Sequence, residues 1–117
     1  MIRQCIAIYM LVLLMASHAA AMNESEKIEA LLISIECSDL IFIRNGIEYS
    51  SREARKHLGI KLSKAGMGIR TARQFIDHIA TRSTWTGQPY LVKFPDGSVM
   101  KTADWLRRRL AEMEKAR

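Results

Sequence analysis

Apolar and polar positions follow different periods along this chain, and the places where the period changes divide it into elements. An apolar run from Cys5 to Met15 comes first, preceded by Arg3 and followed by small residues that end in Ala19-Ala20-Ala21. A basic start, an apolar stretch shorter than the ~20 residues that cross a hydrocarbon core, and an A-x-A ending together predict a secretory signal peptide cut before Met22. Residues 1–21 are therefore set apart as a leader and 22–117 as a single globular domain. After the leader, Ile28, Leu31, Leu32 and Ile35 repeat at the spacing of a helix buried on one side. With Asn23 or Ser25 as N-cap, this predicts a helix over 24–36.

The period then drops to two. Leu40 to Tyr49 places β-branched and aromatic residues around Asn45-Gly46, a pair that tolerates the positive φ of a type I′ turn, which predicts a first hairpin. Ser50 and Glu53 have the spacing of a capping box and open a second helix, 51–65, whose narrow apolar stripe is Ala54, Leu58, Leu62 and Ala65, stopping at Gly66. Thr71 and Gln74 repeat the capping pattern before Ala72, Phe75, Ile76, Ile79 and Ala80, predicting a third helix that ends near Thr81. A hydroxyl-rich loop, 82–89, leads to Tyr90 through Phe94, a Pro95-Asp96-Gly97 turn and Ser98 through Met100, a second hairpin. Thr102 is placed to cap a last helix carrying Ala103, Leu106, Leu110 and Met113. The fold class is α+β, in the order α-ββ-α-α-ββ-α. Because an isolated two-stranded hairpin is marginal in water, the two hairpins are expected to be covered by the helices and to be able to join in one antiparallel sheet.

Charge changes the picture only when the leader is removed. The chain has 18 Lys and Arg against 12 Asp and Glu. With Arg3 gone, 17 basic residues remain against 12 acidic, a formal +5, concentrated in the middle and the tail: residues 22–51 carry 2 basic and 6 acidic, 52–82 carry 8 and 2, and 83–117 carry 7 and 4. For an exported chain the polyanions first met are headgroups, anionic glycans and acidic proteins, so no nucleic-acid partner is expected. Size excludes a multi-domain enzyme, and no transmembrane segment is expected after cleavage. Cys5 leaves with the leader and Cys37 becomes the single cysteine of the mature domain, so an accessible Cys37 thiol would permit a disulfide-linked dimer in an oxidising compartment.

The residues also carry a resemblance. Phe42-Ile43-Arg44-Asn45-Gly46 with Tyr49, then Ala54, His57-Leu58, Lys61-Leu62, Ala65-Gly66, Thr71-Ala72, Phe75-Ile76, Ser83 to Gly87, Pro89-Tyr90, Gly97 and Trp105-Leu106 resemble the YfeK-like family of small exported bacterial proteins, built on a domain of unknown function. The similarity runs from about Glu26 to Glu112. It implies a periplasmic or secreted location and supplies no activity or cofactor. Thr84 and Gln88 depart from the Ser and Lys expected in a Ser-Ser-x-Ser-Gly-Lys-Pro-Tyr-like run.

Candidate chemistry is sparse. Soft or imidazole ligands after the leader are limited to Cys37, His57 and His78, with no C-x-x-C or H-x-x-x-H spacing, so neither a metal nor a cofactor is expected. Ser98-Val99-Met100-Lys101 matches S-x-x-K, but on a predicted strand residues three apart face opposite ways. On the second helix, His57 and Lys61 stand one turn apart on the flank of the apolar stripe, where an anion could be shared between them. Arg44 and Tyr49 are not needed by their hairpin, and Ser83 and Tyr90 bracket the hydroxyl-rich loop. These six residues, Arg44, Tyr49, His57, Lys61, Ser83 and Tyr90, form the candidate binding surface of an exported interaction module whose partner is a protein or an anionic envelope component. Two rival readings are a small envelope-polymer hydrolase with His57 as base and Ser83 as nucleophile, and an anionic-lipid binder using the basic middle and the Arg107-Arg108-Arg109 tail.

Overall fold

The computed structural model describes residues 21–115, and the expected leader falls almost wholly outside them. Helix α1 (Glu24–Cys37) is followed by strands β1 (Ile41–Arg44) and β2 (Ile47–Tyr49), helix α2 (Ser51–Ala65), a 3-10 turn (Gly66–Gly68) and a third helix, α3 (Ala72–Gln74 continued by Phe75–Ile79). Strands β3 (Leu91–Lys93) and β4 (Val99–Lys101) and helix α4 (Thr102–Lys115) complete the described chain. The fold is α+β, and its two hairpins do join: the sheet order is β2-β1-β3-β4, antiparallel throughout.

Local chemistry accounts for most of the element boundaries. Asn23 caps α1 in a full box with Glu26, each side chain bonding the other residue's backbone. Asn45 and Gly46 take φ of 53° and 77°, the type I′ turn whose twist suits a two-residue hairpin. Thr71 and Gln74 form the second full box. At Ser50 only half of the expected box forms, the Glu53 amide donating to Ser50 Oγ over 3.1 Å.

Strand parity decides what reaches the core. Phe42 pairs with Tyr49 on one side and with Val92 on the other, and Val92 pairs with Met100, so Tyr49, Phe42, Val92 and Met100 form one row across all four strands. Alternate residues of a strand share a face, which puts Arg44 and Tyr90 on this same face as neighbours of Phe42 and Val92. The helices cover it. Leu31 and Ile35 of α1, Phe75 and Ile76 of α3 and Leu106 of α4 are fully buried with Val92, and Phe42 meets Trp105 edge to face at 5.9 Å.

The structure departs from the sequence reading at several points. Helix α3 starts as a single α-helical turn (Ala72–Gln74) and widens into a π-helix (Phe75–Ile79), closed by the Ala80 amide on the Phe75 carbonyl at 3.1 Å. It ends at Ile79, two residues before the expected end, and the Thr81 carbonyl accepts from the Tyr90 amide. Ala65, placed on the apolar stripe of α2, is exposed; Leu58 is buried, and Ala54 and Leu62 are half-buried. Thr102 does not cap α4. Strand β4 runs directly into that helix, so Thr102 is its first residue, with its side chain inside and its amide donating to the Tyr90 carbonyl. Segment 82–89 is a closed loop, pinned by a bridge between Arg82 and Pro89 and by Ser83–Gln88 and Gly87–Ser83 backbone bonds of 2.9 Å. Cys37 is half-buried at the end of α1.

Candidate functional site

The sheet-to-helix seam ends in a polar margin. From the sheet come Arg44, two residues beyond buried Phe42, and Tyr90, two before buried Val92; from α2 come His57 and Lys61, flanking buried Leu58. The same parity and helical spacing that bury the hydrophobic residues therefore carry these four to the edge of the core. Tyr49, cross-strand from Phe42, closes the group from β2.

Their contacts form a continuous chain. Arg44 Nη1 lies 2.9 Å from His57 Nδ1 and 2.8 Å from Nε2, and Arg44 Nη2 donates to the Tyr49 hydroxyl at 3.4 Å, with the guanidinium also 5.3 Å above the Tyr49 ring. His57 Nε2 is 3.4 Å from the Tyr90 hydroxyl, and the two rings meet edge to face. Lys61 Nζ donates to that same hydroxyl at 3.3 Å and to the Arg82 carbonyl at 2.9 Å, and sits 5.1 Å from the Tyr90 ring centroid. A guanidinium only donates and a neutral imidazole has one nitrogen with a lone pair, so one of the two close His57 nitrogens accepts from Arg44, and the ring does so in its neutral form.

The electrostatics agree with that assignment. Burial, then the positive charges of Arg44, Lys61 and Lys64, hold the His57 imidazole below its ordinary value. Burial and Arg44 likewise lower the Lys61 ammonium. Burial raises the Tyr90 phenol, against the opposing pull of Arg44. Neither Arg44 nor Lys61 makes an ion pair with any carboxylate among the described residues.

Beside this cluster is a pocket of about 240 Å³. Phe42, Ala54, Leu58 and Ile60 supply its apolar lining; Arg44, Tyr49, His57 and Tyr90 supply its polar side, and exposed Glu53 and Lys56 stand at its rim. Two buried polar atoms among its lining residues have no hydrogen-bond partner, Arg44 Nε and Thr102 Oγ1.

Of the six residues singled out in the sequence, Arg44, Tyr49, His57 and Tyr90 line this pocket, and Lys61 adjoins it through Tyr90. Ser83 is placed differently. Its side chain is buried (3% exposed), accepting from Asn45 Nδ2 at 3.3 Å and from the Thr86 amide at 3.5 Å, so it ties the closed loop to the hairpin tip. The Ser83–His57 pairing that a hydrolase needs is absent from the hydrogen bonds of the described residues, and a hydroxyl this buried is out of a polymer's reach. In the arginine run, Arg107 pairs with Asp77 and Asp104, and Arg109 pairs with Glu112 while lying over Trp105, which leaves less free charge for a membrane than the tail's sequence suggested.

The model of a family of unknown function, DUF5329, matches residues 22–114, almost the whole of the domain just described. The chain belongs to the DUF5329 family. It is 38% identical over 87 residues to the uncharacterized protein YfeK of Salmonella typhimurium, a match covering 74% of this chain and 72% of that protein. No solved structure matches it. The YfeK-like resemblance read from the motif string and the DUF5329 match thus coincide, and both leave the activity open.

Two placements near the site of this DUF5329 chain have no signal in the sequence. Thr102 reads as a helix cap in the sequence, because Thr before an amphipathic run usually is one, yet it turns inward. Asn45 was fully accounted for by its turn, yet its side chain also holds Ser83 and Thr86. No one-dimensional pattern signals either placement: Asn45 reaches residues 38 and 41 positions away, and Thr102 turns inward because β4 runs straight into α4.

Proposed function

We propose that this DUF5329 protein is an exported binding module that takes an anionic ligand at the Arg44–His57–Lys61–Tyr90 margin, with no catalytic step. The observation that carries this reading is the pair of partly buried cations, Arg44 and Lys61, whose partners are a neutral imidazole, two phenols and a carbonyl and include no carboxylate. Two like charges held close together and partly out of water are costly, and an anion relieves both the repulsion and the unmet hydrogen-bonding capacity. His57 adds a third donor once it takes a proton, which a bound anion favours.

The test is the His57 imidazole followed by NMR through a pH titration, with sodium acetate or sodium phosphate and without either. Anion binding raises the His57 midpoint toward or past its ordinary value, and Arg44→Met removes the response. A midpoint indifferent to both anions overturns the reading. Export rests on the pattern of residues 1–21 and is tested by the mass of the exported chain, expected to begin at Met22; a membrane-bound protein retaining Met1 would refute it.

A further inference from the structure

We propose that the ligand is a small organic acid, its anionic head seated among Arg44, His57 and Tyr90 and its apolar body lying in the adjoining pocket against Phe42, Ala54, Leu58 and Ile60. This inference rests on the anion-binding reading above and adds the body to the head.

Three observations carry it. The first is the shape of the space. A bare inorganic ion would occupy the polar side alone and leave the apolar lining exposed to water. The pocket, at about 240 Å³, exceeds the ~150 Å³ cavity that accommodates benzene, so a body of ~6 to 10 non-hydrogen atoms fits. The second is charge. A neutral hydrophobic ligand would fill the pocket and leave the mutual repulsion of Arg44 and Lys61 as it stands, whereas an anionic head removes it. The third is the pair of unpartnered atoms. Thr102, 1% exposed, is the most buried of the lining residues, and its Oγ1 has no partner; Arg44 Nε has none either. Buried polar atoms are nearly always satisfied in folded proteins, so two exceptions on residues that line one pocket single it out among the described residues.

Burial of Tyr90 and Leu58 on opposite sides of the same seam makes the pocket a preformed feature of the core edge. The body therefore binds without ordering a loop, and length dependence should be that of simple hydrophobic transfer. Each methylene buried adds a factor of about four in affinity.

The experiment is a binding series on the described domain in its full chain context, read by calorimetry and by the His57 NMR signal, using acetate, butanoate, hexanoate and neutral hexanol. Affinity is expected to rise about fourfold per methylene from acetate to hexanoate, with hexanol at least tenfold weaker than hexanoate. Ala54→Leu, which fills the pocket, should flatten the series while leaving acetate binding intact. Ile60→Glu, a change at a partly exposed position that does not threaten folding, should weaken hexanoate more than acetate. A flat series in the wild type, with acetate still bound, overturns the organic-acid inference and leaves the anion site standing. If no acid binds, or if hexanol binds as well as hexanoate, the anion site falls as well.

Discussion

Two lysines in this molecule leave the solvent by different routes. Lys27 on α1 has a side chain only 9% exposed, and its ammonium donates to Glu24 at 3.1 Å and to Glu114 at 3.3 Å. The hydrogen bond to Glu24 raises its affinity for the proton, and Glu24 in turn is held below its ordinary value, first by the Ala72 amide and then by Lys27. Glu24 and Glu114 so join the starts of α1 and α3 to the end of α4, with Arg73 also on Glu114. Lys61 on α2 is half-buried too, yet it meets a phenol, a carbonyl and, across Tyr90 and His57, another cation; its affinity for the proton falls. One partly buried charge is compensated within the fold, while the other is compensated only by hydrogen bonds. The first arrangement serves stability. The second leaves two like charges with no carboxylate partner among the described residues, the conflict with stability that the proposed anion site would carry.

The comparison can be broken most severely through the core that both regions share. Phe75, fully buried at the centre, should cost about 3 to 5 kcal/mol on replacement by Ala, and Leu58, which borders the pocket, about 2 to 3 kcal/mol, both read from denaturant melts. Equal losses would mean that the pocket side is as tightly packed as the centre, and the space beside Leu58 would then not exist in solution.

Next comes the pair of lysines. Lys27→Met should destabilise by about 1 to 2 kcal/mol at neutral pH, because it leaves Glu24 with the Ala72 amide and Glu114 with Arg73 as their remaining partners. Glu24 binds its proton less readily in the folded chain than in the unfolded one, so its contribution is present above its ordinary 4.5 and is lost as pH falls through the lower folded value. The gap between wild type and Lys27→Met should accordingly close in acid. Lys61→Met should lie within about 0.5 kcal/mol of wild type, or above it, since it removes a repulsion along with two hydrogen bonds. A loss at Lys61 as large as that at Lys27 would make the cluster a structural device.

Ser83→Ala should cost about 1 kcal/mol by leaving the Asn45 and Thr86 donors with one partner fewer. It should leave acetate binding at the pocket unaltered, which separates the loop tie from the site. The smallest expected effect is that of pH on His57. Its folded value lies below 6.5, so the unfolded chain takes up protons first: the contribution is whole above that value and declines as pH falls through the folded one. Melts between neutral and mildly acidic pH should show wild type losing stability relative to His57→Gln, and added hexanoate should reduce the difference.

Much of this was written along the chain. Asn23 with Glu26 and Thr71 with Gln74 act within three residues of themselves, and Asn45-Gly46 acts within its own turn. Spacing placed Leu31 and Ile35 inside, and it set His57 and Lys61 at the edge of the stripe that holds Leu58. These readings hold because each depends on one helical turn or one hairpin, where the backbone geometry is fixed by neighbours in sequence. The resemblance to the YfeK-like proteins, carried by the motif string, agrees with the family match.

Sequence by itself determined the α+β class, the caps at Asn23 and Thr71, the hairpin turns and which side chains flank the apolar stripes, because those follow from local periods of 2 and 3.6 residues. The tertiary structure decided the rest: that the two hairpins meet through β1 and β3, that Arg44 and Tyr90 arrive on the face that α2 covers, that Lys27 finds Glu114 at the far end of the chain, and that Ser83 and Thr102 turn inward. Each of these contacts joins residues from separate elements, and its energy depends on distances that come into being only when the strands pair and the helices pack. A charge read in sequence is a property of one residue; whether it is compensated belongs to its neighbours in space.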